Sequence, residues 1–208
     1  MASMRSRTAI SGDNEMARPQ LLAMALLACF ALPDGATRAA AEQRTMQPVV
    51  PAKYAATAFG QSADVAGQTF GLAVYVQELT SDGEIAELAS TLRHKGQDGL
   101  AIALDKLKDR GRVSPNDSTG IGMRVVRIRP TKDGGQHIVL ATAIPGWQHF
   151  YQPPGYRISL VELDVDKDGK GTGSFAQLCT VKFNEKNEFE IERYGWKRYR
   201  LANVYRQE

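Results

Sequence analysis

Cysteine, histidine and net charge are all scarce in this 208-residue chain. There are two cysteines and three histidines, and 26 Lys and Arg against 23 Asp and Glu leave a formal net charge of +3. A balance so close to neutral gives no polycationic surface of the kind that drives nucleic-acid binding. Cys29 lies in a leading apolar stretch, so removal of that stretch leaves Cys179 as a lone thiol with no intrachain disulfide. His94, His137 and His149 do not share metal-ligand spacing with another His, Cys or carboxylate. The patterns G-x-S-x-G, S-x-x-K, H-E-x-x-H, Walker and dinucleotide-binding glycines are all missing. No local motif therefore implies a cofactor or a reaction. Internal repeats and low-complexity tracts are also lacking.

What is present begins with a composition break. Arg5, Arg7 and Arg18 precede the apolar run Leu21–Leu32, and small residues follow, ending in Ala39, Ala40 and Ala41. A charged head, a short oily run and an A-x-A-like exit form a secretory signal over residues 1–41. The 12 apolar residues make roughly 18 Å of helix, short of the roughly 30 Å hydrocarbon core, so no integral span is expected. No Arg-Arg pair points to the twin-arginine route. Met16 offers an alternative start that gives a more compact signal. Leu26-Leu27-Ala28-Cys29 resembles a lipid-attachment box, but Leu27 fits poorly and the apolar stretch continues past Cys29. Lipid anchoring at Cys29 is the lesser alternative to release into the periplasm or the exterior.

Residues 42–68 are rich in Ala, Gln, Thr and Pro without a sustained period and read as a flexible extension. A single domain is expected over 69–208. Phe70, Leu72, Val74 and Val76 alternate with smaller residues, the period of a strand. Ser81 with Glu84 forms a capping-box start, and Ile85, Leu88, Ala89 and Leu92 follow at helical spacing up to Gly96. Leu100, Ala103, Leu104 and Leu107 predict a second helix ending near Gly111. Strands are expected at 121–129, 137–143, 156–165, 171–183, 188–194 and 199–205. Gly- and Asp-rich turns at 131–135 and 166–170 and the Asn-flanked turn 184–187 join several of them into hairpins. Short turns dictate antiparallel pairing. The expected fold is α+β: a two-helix hairpin packed on a curved, mainly antiparallel sheet of about six to seven strands.

Three segments could carry function. Trp147, His149, Phe150, Tyr151 and Tyr156 lie in a Pro- and Gly-rich loop over 145–156, where rigid aromatics suit a ligand-binding lip; the competing reading is a cover for the open end of the sheet. Asp164, Asp166 and Asp168 before Gly169 match the front of a calcium loop, but Phe175 stands where a bidentate Glu is needed and the flanks read as strands, so a solvated hairpin is the stronger reading. Tyr194-Gly195-Trp196-Lys197-Arg198-Tyr199-Arg200 mixes basic and aromatic residues, with Glu188, Glu190 and Glu192 upstream placed to neutralise it across a hairpin. Cys179 shares a strand face with Phe175, Val181 and Phe183 and reads as a small buried hydrophobe.

Several segments carry a likeness. They are Leu79–Ser81 through Lys95–Leu100, Gly111-Arg112-Val113, Val161-Glu162-Leu163 with Gly169-Lys170-Gly171, Val181–Asn184, Glu190–Gly195 and Arg200–Val204. On them the chain resembles a family of short exported bacterial proteins of unknown function, over about residues 70–206. The resemblance implies a bacterial envelope setting and brings no activity, cofactor or catalytic residue. The function expected is a non-catalytic exported domain binding a small ligand or an envelope protein. The alternatives are an exported hydrolase using His149 with a carboxylate from another strand, and a structural envelope protein.

Overall fold

The computed structural model describes residues 49–144 and 155–208. The signal segment, Met16, Cys29 and loop residues Trp147, His149, Phe150 and Tyr151 lie outside the described residues. Among those described, ten strands form one antiparallel sheet with one helix. They are β1 (Ala52–Gly60), β2 (Thr69–Val76), α1 (Asp82–Asp105), β3 (Gly111–Pro115), β4 (Ile121–Met123), β5 (Val125–Pro130), β6 (Gln136–Ala143), β7 (Ile158–Val165), β8 (Lys170–Phe183), β9 (Phe189–Tyr194) and β10 (Arg198–Gln207).

The pairing order runs β4-β3-β2-β1-β10-β8-β7-β6-β5, with β9 attached to β8. The two ends of this order, β4 and β5, are separated in sequence only by Arg124. One bent segment thus pairs with β3 through its first half (Arg112 opposite Gly122) and with β6 through its second (Ile128 opposite Ile138). The sheet therefore curls until its ends meet. Backbone bonds stitch this seam: Arg110 N to Met123 O at 2.8 Å, and Arg124 N to Ala141 O at 3.0 Å. Arg124 acts as the extra residue of a bulge, because Met123 and Val126 both face the enclosed core while Val125 faces out.

Closure creates two cores. Tyr54, Leu72, Val74, Ile138, Leu140, Val161, Leu163, Phe175 and Leu201 fill the inside of the curl, as expected for a small barrel whose interior is just wide enough for side chains. On the outside, Ile85, Leu88, Leu100 and Leu104 of α1 cover Val125, Val139, Ala141, Leu160 and Cys179. Strands beneath the helix are buried on both faces, and β6 and β7 accordingly read as near-continuous apolar runs. Strands β1 and β2, away from α1, alternate buried and partly exposed positions.

The expected α+β fold, a two-helix hairpin on a sheet of about six to seven strands, is corrected: the described residues are mostly β, ten antiparallel strands in one sheet with one α-helix. Among the described residues α1 is one helical element kinked at Gly96 (φ 66°, ψ −167°), where the backbone leaves helical dihedrals, rather than two helices joined by a loop into a hairpin. At the bend the Gln97 side chain grips β8, its Nε2 donating to Val181 O at 2.6 Å and its Oε1 accepting from Val181 N at 3.2 Å. The sheet is larger because β1 and β3 join it. Residues 52–60, expected in the flexible extension, form the strand between β2 and β10. Ala52, Tyr54, Ala56 and Ala58 face inward there, and alanines on both faces blunt the alternation that marks a strand.

Candidate functional site

The β6–β7 connection closes with Ile144 N donating to Arg157 O at 2.8 Å, and Tyr156 stands beside that stem. The β9–β10 turn is drawn to the same place: Gly195 N donates to Leu178 O at 2.8 Å and Gln177 N to Lys197 O at 2.8 Å. Glycine is required at 195, since a Cβ there would come within 2.3 Å of the Tyr156 ring and 2.1 Å of Leu178 O. Two motifs far apart in sequence thus meet at Tyr156 and Gly195.

Around this contact the aromatics carry cations. Lys197 Nζ lies 4.5 Å from the Trp196 ring centroid, and Arg198 Cζ lies 4.1 Å from that of Tyr194. Each such pair contributes roughly 0.5–1 kcal/mol at an exposed position. Tyr194 and Trp196 nonetheless keep 41% and 39% of their surface exposed. The three glutamates expected to neutralise these cations are engaged elsewhere. Glu188 pairs with Arg129, Glu190 with Lys182 at 3.2 Å, and Glu192 accepts from Thr180 Oγ1 at 3.3 Å. The positive charge at the turn is left unneutralised by them.

The three aspartates of the calcium-like segment do not converge. Asp164 Oδ1 meets His137 Nδ1 at 2.6 Å across β6–β7. Asp166 Oδ1 instead accepts from Asp168 N at 2.8 Å and Lys170 N at 2.9 Å, which shapes the β7–β8 turn. Phe175 points into the inner core. Among the described residues no three His, Cys, Asp or Glu side chains are grouped to hold a metal ion.

The outer face of β6–β8 gathers a further polar cluster. Glu162 accepts from Ser174 Oγ at 3.1 Å beside the His137–Asp164 pair. Burial raises the Glu162 carboxyl above its ordinary range, and the Ser174 hydroxyl partly offsets that. Serine hands its hydrogen bond to a carboxylate, and the histidine makes its bond to a different one. This is two separate pairs, unlike the Ser–His contact that activates a nucleophile. Cys179 is fully buried, its Sγ 3.3 Å from Ile158 O, and burial pushes its thiol up to about 12. A thiol held protonated is no nucleophile. His94 is exposed on α1.

Compared with protein-family models, with curated proteins and with solved structures, the chain matches none of them. What it can do must be read from its own surface. Of the five aromatic-loop residues, the structure places Tyr156, and it adds Tyr194, Trp196, Lys197 and Arg198 beside it. The His137–Asp164 contact was missed from sequence, although the β6–β7 hairpin register would have found it once the two strands were aligned. Among the described residues, no helix is long and apolar enough to cross a membrane.

Proposed function

We propose that this chain is a non-catalytic, exported bacterial domain that binds a small ligand or an envelope protein partner through the aromatic surface around Tyr156, Tyr194 and Trp196. The observation that carries the reading is the pair of half-exposed aromatics, each held against a cation that no neighbouring glutamate neutralises. Rigid rings offer contact area at small entropic cost, and adjacent cations favour partners that carry acidic or π-rich groups. The signal over residues 1–41 and the likeness to exported bacterial proteins of unknown function support the envelope setting. The hydrolase alternative rests on His149, and the described residues supply it with no nucleophile–base pair.

Affinity capture from the native compartment tests the reading, with wild type, the double variant Tyr194→Ala/Trp196→Ala and the control Tyr205→Ala compared side by side. Tyr205 is another exposed aromatic, at the far end of β10. A species retained by wild type and control but lost by the double variant is expected. Identical capture by all three would remove the proposal.

A further inference from the structure

The near-neutral balance of the whole chain hides an uneven distribution of charge. Strands β1, β2, β3 and β10 carry Lys53, Arg112, Arg198, Arg200 and Arg206 and no Asp or Glu. The carboxylates that flank them in sequence, Asp64, Asp109, Asp117 and Glu208, lie beyond the strand ends. Acidic side chains gather instead on α1, which holds five, and on β7 and β9, which hold two each.

Strand register places four of the five cations on one face. Tyr54, Leu72, Val74, Val113 and Leu201 point into the inner core, so the alternate positions point out. Tyr75 stands between Arg112 and Lys53 in one outward row. Phe59 stands opposite Arg200 in another, with Arg198 two residues along the same face of β10. Arg206 stands opposite the inward Tyr54 and faces the other way. Lys53 and Phe59 are separated along β1 by about 20 Å at roughly 3.3 Å per residue. Between the two rows the outward residues of β1 and β2 are Ala55, Thr57, Gly71 and Ala73, which leaves the middle of the face low. The helix packs chiefly on β6 and β8, away from this face.

Each row joins a cation to a ring. Lys53 Nζ lies 5.1 Å from the Tyr75 centroid and Arg200 Cζ 5.6 Å from that of Phe59, while Arg198 sits over Tyr194 at the border. Arg112 donates to Thr119 O at 2.7 Å. None of the four cations joins an ion pair among the described residues. Charge complementarity therefore calls for an anionic partner, and the layout selects its kind. Rows so far apart converge on no single point, so one phosphate or carboxylate cannot meet both. The rings carry cations where a nucleic-acid base would stack. An extended layer of anionic headgroups meets both rows at once, and tyrosine rings suit the boundary between headgroups and water. We propose that the outer face of β3-β2-β1-β10 docks on anionic phospholipid bilayers through Lys53, Arg112, Arg198 and Arg200. This face is distinct from the aromatic surface around Tyr156 and meets it only at Arg198.

Cosedimentation of the full chain with vesicles of about 30% phosphatidylglycerol in phosphatidylcholine, and of phosphatidylcholine alone, measures the partitioning. All proteins compared share the same leading segment, so differences between them read the sheet face. Each Lys or Arg near an anionic surface is worth roughly fivefold. Lys53→Gln/Arg112→Gln/Arg200→Gln is thus expected to weaken anionic-vesicle binding about a hundredfold, and the milder Lys53→Gln/Arg200→Gln about twentyfold. Thermal melts confirm that each folds. Lys106→Gln/Lys132→Gln/Lys186→Gln removes the same charge from exposed positions off this face, and should weaken binding by less than about threefold. Tyr194→Ala/Trp196→Ala, which tests the aromatic surface, should stay within about threefold of wild type. The inference is overturned if wild type partitions equally into both vesicles, or if the face variants bind like wild type. It is also overturned if the two charge-matched triples weaken binding equally, if the aromatic double variant loses it, or if a single-stranded oligonucleotide binds more tightly than the anionic vesicles.

Discussion

Replacing Glu84 with Gln perturbs one carboxylate that does three jobs at the start of α1. It accepts from Ser81 N at 3.1 Å and from Ser81 Oγ at 2.8 Å, completing the capping box, and it accepts from Arg110 Nη2 at 2.7 Å. The Arg110 side chain is only 6% exposed, against 33% for Glu84, so the arginine depends on this partner; its next contact is Glu78, at 3.6 Å. The Ser81 hydroxyl first, and the Arg110 guanidinium next, pull the Glu84 carboxyl from 4.5 to about 2. Taken at face value, that gap is about 3 kcal/mol at roughly 1.4 kcal/mol per pH unit. Solvent screening of a one-third-exposed carboxylate, and the usual worth of a cap, reduce it to about 1–2 kcal/mol. Because the folded value lies below the unfolded one, this stability is present above pH 4.5 and drains away as pH falls toward 2. Urea denaturation of wild type and Glu84→Gln at pH 7, 4 and 2.5 measures it. The other carboxylates titrate in both proteins, so the difference between the two curves isolates Glu84. The variant is expected to be about 1–2 kcal/mol less stable at pH 7, with the gap mostly closed by pH 2.5. A gap that is absent at pH 7, or unchanged at pH 2.5, refutes the reasoning.

Three further outcomes are expected. Gly96→Ala forces a side chain into a backbone region that almost only glycine occupies, with nothing within 4 Å for the new Cβ to strike; chemical denaturation should show a loss of about 1–3 kcal/mol. Leu104→Ala, under the helix in the outer core, should cost about 2–5 kcal/mol, whereas Ile102→Ala on the same helix, 52% exposed, should change stability by less than about 1 kcal/mol in the same assay. Cys179 should resist iodoacetamide at pH 8 in the folded protein and be alkylated once denatured, as followed by mass spectrometry of its peptide; ready alkylation in native buffer would contradict its burial.

Local chemistry made part of this architecture legible. Ser81 and Glu84 announced the helix start because both halves of a capping box lie within four residues. The hairpin turns were visible for the same reason, since Thr131 N bonds to Gly135 O and Asp166 N to Lys170 O within a few positions. What stayed hidden was set at long range. Strand β1 lacks β-branched contrast, and its place is fixed by partners at 69–76 and 199–207. The split of 121–130 into two half-strands has no local mark either, because it arises when the sheet's ends meet at Arg124. The same holds for the sites. The basic–aromatic stretch at 194–200 was legible as composition, yet its contact with Tyr156 is a tertiary fact.

The central structural claim is that one segment, residues 121–130, closes the sheet by pairing with β3 on one side and β6 on the other. Cross-strand NOEs in the isotope-labelled protein test this most directly. The account predicts backbone contacts of Gly122 with Arg112 and of Ile128 with Ile138 in the same sample. Finding only one of the two sets, with the amides of the other segment exchanging freely with solvent, would show an open sheet and contradict it.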